Sequence, residues 1–206
     1  LSEPKMARYV KVSVGKTGWL FMDEIELLAK SEDSPDDSQN NLARGHSYQC
    51  AEPSADHPDT VPPSKLTDGR IGAVDAAASA WVGFPKADKD NEIVIDLDTA
   101  QNFEQVDVRM LSDSGKNILL PGEVAVYYSD DNASWELFGR DVLPPVEIED
   151  PIVYTSQQAV ETAVRGRYVK VVFPADTTVL LDEIIVRKEK TIIPVGSVDE
   201  EYKDKN

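Results

Sequence analysis

Apolar and polar residues alternate with a period of two along several short stretches of this chain. Glu92-Ile93-Val94-Ile95-Asp96-Leu97 and Phe103-Glu104-Gln105-Val106-Asp107-Val108-Arg109-Met110 each keep one face apolar, the pattern of half-buried strands. Val124, Val126 and Tyr128 continue it, and the turn signal Ser129-Asp130-Asp131-Asn132 leads to short strands around Trp135-Glu136-Leu137-Phe138 and Ile152-Val153-Tyr154. No stretch has the spacing of a long amphipathic helix. Many short strands separated by turns over about 150 residues predict an all-β fold, a β-sandwich or jelly roll.

An internal echo adds to this picture. Arg8-Tyr9-Val10-Lys11-Val12 recurs as Arg167-Tyr168-Val169-Lys170-Val171, and Asp23-Glu24-Ile25 recurs as Asp182-Glu183-Ile184, both 159 residues later. Each copy reads as two strands joined by a turn, so residues 1–30 are expected to form an extra N-terminal β-hairpin. It is either the remnant of a preceding repeat or a piece docked on the main domain. Residues 31–40 combine acids, serines and a proline without apolar anchors and read as a linker. The main β-domain then covers 41–190, with a charged linker or tail over 191–206. The start at Leu1 and this tail suggest a piece of a longer protein with neighbouring domains.

Charge narrows the partners. A formal charge of −17 over 206 residues gives no basic surface to release counterions from phosphates, which argues against nucleic acid. A mean hydropathy of −0.36 and the lack of any apolar run near 18 residues predict no membrane span. Cys50 stands alone, so no intrachain disulfide forms, which fits the cytosol or a bacterial extracellular protein; it reads as a packed small hydrophobe. With two histidines, His46 and His57, and neither a nucleophile elbow nor a phosphate-cradling loop, no catalytic residues are assigned.

The order of several motifs resembles the discoidin family, also called the coagulation factor five/eight type C domain, whose bacterial members include family thirty-two carbohydrate-binding modules. The carriers are Asn41-Leu42-Ala43-Arg44-Gly45, Leu66-Thr67-Asp68-Gly69-Arg70, Ala80-Trp81-Val82-Gly83, Ile93-Val94-Ile95-Asp96-Leu97, the stretch from Val126 to Trp135, Arg167-Tyr168-Val169-Lys170-Val171 and Asp182-Glu183-Ile184. The resemblance covers roughly Asn41 to Lys188. It implies a galactose-binding-like jelly-roll β-sandwich with ligand loops at one end. It also implies a structural calcium ion, with Asp68, Ser79 and Glu183 at the family's side-chain ligand positions. Calcium takes six to eight oxygens, so loop carbonyls such as those of Lys65 and Arg70 would complete the shell, with Gly69 allowing the tight turn. The stretch from Leu143 to Thr162 and the leading hairpin depart from the family pattern.

The implied function is non-catalytic carbohydrate binding within a larger secreted or cell-surface bacterial protein, with a polysaccharide or glycan as partner. The alternative is a structural spacer or protein-interaction module. Sugar sites combine an aromatic face with directed polar groups. His57 in the proline-rich loop, nearby Tyr48, and Arg109, Lys116 and Asn117 around Ser112-Asp113-Ser114-Gly115 are the ligand candidates. Trp81 and Trp135 are expected in the core, Trp19 as an anchor between units, and Ile118-Leu119-Leu120 as a strand entering the core.

Overall fold

The computed structural model describes residues 40–50, 65–143 and 150–191. The expected N-terminal hairpin with Trp19, the linker 31–39 and His57 lie outside the described residues. Seven strands make up most of the described region: β1 (Tyr48–Cys50), β2 (Val82–Phe84), β3 (Asn91–Ser112), β4 (Glu123–Ser129), β5 (Glu136–Val142), β6 (Ile152–Phe173) and β7 (Val179–Arg187). They pair antiparallel in the order β2-β7-β3-β6-β4-β5, with β1 also on β3.

Two long strands turn this single ladder into two layers. β3 and β6 are 22 residues each. The first half of β3 pairs with β1 and with the end of β6, which also carries β4 and, through it, β5. The second half pairs with β7 and with the start of β6, and β7 carries β2. Between the halves the register shifts at Asp96/Gln101 and again at Phe103/Gln105, and Asp98 takes a left-handed φ of 62°. The sequence alternation breaks at this bend, which is why it reads as two strands where the backbone runs through as one.

The facing sides of the layers share one core. Ile93, Ile95, Val124, Val126, Val169 and Val171 from one layer join Val106, Val108, Met110, Leu181, Ile184 and Val186 from the other, all fully buried. Phe84 and Phe173 meet edge to face across it at 5.4 Å and 87°. Each such side chain contributes about 1.5–3 kcal/mol relative to exposure. A second cluster of Trp81, Ala76, Leu111, Ile118 and Leu180 covers the outer side of the β7 layer. All nine residues of β7 are therefore buried, and the strand reads as an apolar run interrupted at Asp182-Glu183 and closed by Arg187. Gly72 fits this packing because a Cβ there would lie 2.7 Å from the Trp81 ring. Gly72→Ala is expected to cost about 1–3 kcal/mol by overpacking, measured by urea denaturation; an unchanged midpoint would show that the loop yields freely.

Three expectations need correction. Arg167-Tyr168-Val169-Lys170-Val171 and Asp182-Glu183-Ile184 do not form a hairpin, because β3 lies between β6 and β7 and residues 174–178 cross from one layer to the other. Trp135 is half-exposed rather than core, with the Lys170 ammonium 4.4 Å from its ring. Ile118 is buried but outside any strand; it bridges Asp113 and Thr178.

Candidate functional site

Three connections, 85–90, 113–122 and 174–178, cross between the layers at one end of the sandwich, where β5 also ends and β6 begins. β1 ends there too, Cys50 lying opposite Ile93, so the connection 51–64 starts at the same end. This loop end brings Lys116 and Asn117 together. Ser114–Lys116 form a 3-10 turn closed by Asn117, which takes the left-handed φ of 58° that asparagine tolerates. The Asp113 and Ile118 backbones hydrogen-bond reciprocally below it. The Lys116 ammonium lies 2.9 Å from Asp113 and 3.7 Å from Asp75, and the Asp113 hydrogen bond holds it above the ordinary lysine range. Ala76, Ala77, Lys116, Ile118 and Thr178 border a shallow depression of about 340 Å³. A larger one, about 680 Å³, is bordered among the described residues by 87–92.

Two ligand candidates sit elsewhere. Tyr48 is a core residue, 8% exposed and facing the inner cluster, and burial pushes its hydroxyl up to about 12. Its placement in β1 removes it from the ligand set. Arg109 points out of β3 into a fork with Asp182, Nε at 3.1 Å and Nη2 at 3.1 Å. Its guanidinium is committed to the fold. The sequence analysis missed Asn91, which is 4% exposed with an Nδ2 lacking a hydrogen-bond partner. The polar run Asp88-Lys89-Asp90-Asn91 was the available signal.

Of the positions assigned to calcium, Asp68 and Glu183 lie near each other where the Gly69 turn meets β7. A bulge opposite Arg109/Met110 lets Asp182 and Glu183 lie side by side. Glu183 is 1% exposed, and its carboxylate accepts from the Gly69 N–H at 3.1 and 3.2 Å and from Asn41 Nδ2 at 3.4 Å. Gly69 has a φ of 77°, and the Arg44 guanidinium lies against it. Burial pushes the Glu183 carboxyl up to about 8; the Gly69 N–H opposes this, while Asp68 and Asp182 add repulsion. Asp68 accepts from the Arg70 N–H at 2.8 Å. Ser79 is exposed, and its carbonyl accepts from Lys65 Nζ at 2.7 Å. Among the described residues no three His, Cys, Asp or Glu side chains converge on one point. Any ion here therefore depends on main-chain carbonyls as much as on carboxylates.

Two antiparallel layers joined by bent strands, with the loops gathered at one end, define a galactose-binding-like jelly roll. The chain belongs to the F5/8 type C domain family, which matches residues 48–184. No curated protein sequence matches the chain. Among solved structures it is similar to a fucose-binding module from Streptococcus pneumoniae, at 16% identity over 73% of this chain and 96% of that one, with a TM-score of 0.53. It is also similar to a chitosan-binding module of a Paenibacillus chitosanase/glucanase, at 14% identity over 71% and 97%, with a TM-score of 0.51. A GH29 fucosidase from Ruminococcus gnavus aligns at 18% identity and a TM-score of 0.53, over 74% of this chain but only 27% of the fucosidase. These likenesses concern the fold.

Proposed function

We propose that the chain is a non-catalytic carbohydrate-binding module of a secreted or surface protein, taking its glycan at the loop end. The carrying observation is the gathering of Lys116, Asn117 and two open depressions between crossing loops, in a family whose fold is shared with modules named for fucose and chitosan. Such a module raises the local concentration of the protein that carries it on a polysaccharide. No helix among the described residues is long and apolar enough to cross a membrane.

Structural calcium belongs to the same reading. A carboxylate as buried as Glu183, repelled by Asp68 and Asp182 and only partly offset by the Gly69 N–H and the Arg44 charge, is costly unless a cation compensates it. Asp68, Glu183 and the Ser79 hydroxyl, with the carbonyls of Lys65 and Arg70, supply the hard oxygens calcium requires. The ion would tie the Asp-Gly turn to β7; its role is structural.

The test is retention on a panel of insoluble polysaccharides by wild type, His57→Ala, Lys116→Ala and Asn117→Gly, the last preserving the left-handed backbone. Retention on at least one polysaccharide, reduced about tenfold or more by a loop-end variant with an unchanged melting temperature, supports the reading. No retention on any of them would favour a spacer.

A further inference from the structure

The turn between β4 and β5 lies at the end of the sandwich away from the crossing loops, because β4 leaves the loop end and β5 returns to it. It holds Asn132-Ala133-Ser134, the one Asn-x-Ser/Thr triplet in the 206 residues. In such a triplet the asparagine amide accepts an N-linked glycan, and the hydroxyl two residues on is what the transferase recognises. The triplet sits on the surface: every residue from Asp130 to Ser134 is exposed.

The hydrogen bonds of this turn leave the acceptor free. The Asp131 carboxylate accepts from the Ala133 N–H at 2.9 Å, the Ser134 N–H at 2.8 Å, the Ser129 hydroxyl at 2.9 Å and the Ser134 hydroxyl at 3.2 Å. Asn132 contributes only its backbone, whose N–H donates to Ser129 Oγ at 3.0 Å with a left-handed φ of 59° that asparagine tolerates. Among the described residues its side-chain amide has no hydrogen-bond partner. A sugar attached to Nδ2 therefore breaks no bond of the fold and displaces no buried group. The Ser134 hydroxyl is held by a single bond to an exposed carboxylate, which water can replace.

We infer that Asn132 is a modification site that carries an N-linked glycan. The inference rests on the secreted or surface part of the reading above, since the donor, a lipid-linked oligosaccharide pyrophosphate, meets chains as they leave the cytoplasm. Asn132 Nδ2 attacks the anomeric carbon of the donor. The nitrogen–carbon bond forms, the bond from that carbon to the pyrophosphate oxygen breaks with its electron pair leaving on the lipid pyrophosphate, and the amide releases one proton. The glycan then stands at the end opposite the crossing loops, where it does not obstruct them.

The experiment is peptide mass spectrometry of the whole chain recovered from its native source, with the wild type and three variants expressed in that same source. The peptide spanning Asn132 is expected to gain the mass of one or more sugar residues in most copies. Asn132→Gly, which keeps the left-handed backbone, and Ser134→Ala are expected to abolish the gain, and Ser134→Thr to retain it, with all three melting as wild type does once sugar is removed. Sugar persisting on Asn132 in Ser134→Ala would overturn the inference. A secreted chain with an unmodified Asn132 peptide would overturn it and leave the reading above standing, whereas an unmodified chain found only inside the cell would remove both the inference and the secreted reading.

Discussion

Asp182→Ala is expected to lower the free energy of unfolding by about 3–5 kcal/mol, the cost of stranding one partner of a buried pair. Asp182 is fully buried and accepts two hydrogen bonds from Arg109 Nε, one from Nη2 and a fourth from the Gly72 N–H at 2.7 Å. Truncation leaves a largely buried guanidinium and a buried N–H without acceptors. It also releases Gly72, which holds the covering segment against Trp81. By contrast, Arg165 and Asp130 are about 60% exposed and 3.4 Å apart, so Arg165→Ala should cost under about 1 kcal/mol. Urea denaturation of the two variants tests the comparison. Equal, small losses would show that Arg109 and Asp182 do not brace the fold.

The second large effect concerns Glu183. With calcium removed by chelator, stability should fall as pH rises. The folded carboxyl is pushed up to about 8 from an ordinary 4.5, so the folded state holds a proton that the unfolded chain has already released. The resulting stabilisation is complete below 4.5 and is lost as pH rises through about 8. Glu183→Gln carries no such proton and should flatten this slope. Calcium should flatten it as well, because the ion binds the charged carboxylate, and at a hundred times its dissociation constant it would add about 2.7 kcal/mol. Melting temperatures with calcium and with chelator across that pH range read both effects. A wild-type slope insensitive to calcium would remove the ion from Asp68 and Glu183, and a Glu183→Gln slope equal to wild type would remove the carboxyl as its source.

The sequence reading was strongest where one face of a strand is buried and the other exposed. Ile93, Ile95, Val106 and Val108 alternate as the layers require, and all four lie in the core. It failed where tertiary pairing decides the outcome. Nothing local in residues 98–102 states that the chain bends and continues as the same strand, and nothing in the 174–178 turn states that it crosses between layers instead of closing a hairpin. Tyr48 and Arg109 looked available because both are polar at one end. Whether such a side chain faces a core, a buried acid or a ligand depends on its neighbours, Ile95 across the ladder for Tyr48 and Asp182 for Arg109. Trp135 missed the core for a similar reason: the edge strand β5 that follows it has partners on one side only, and Lys170 covers the ring. Asn91 was legible as a turn polar residue but not as a buried one, since its burial arises from its place opposite Phe173.

The central claim is that ligand binds between the crossing loops. Backbone amide shifts of the labelled chain, followed during titration with whichever oligosaccharide the polysaccharide panel selects, test it most directly. Saturable shifts confined to the connections at this end, 51–64, 85–91, 113–118, 143–151 and 174–178, with Tyr127, Trp135 and Lys170 on the opposite sheet face unmoved, are the predicted result. Shifts centred on that sheet face, or none at saturating sugar, would contradict it.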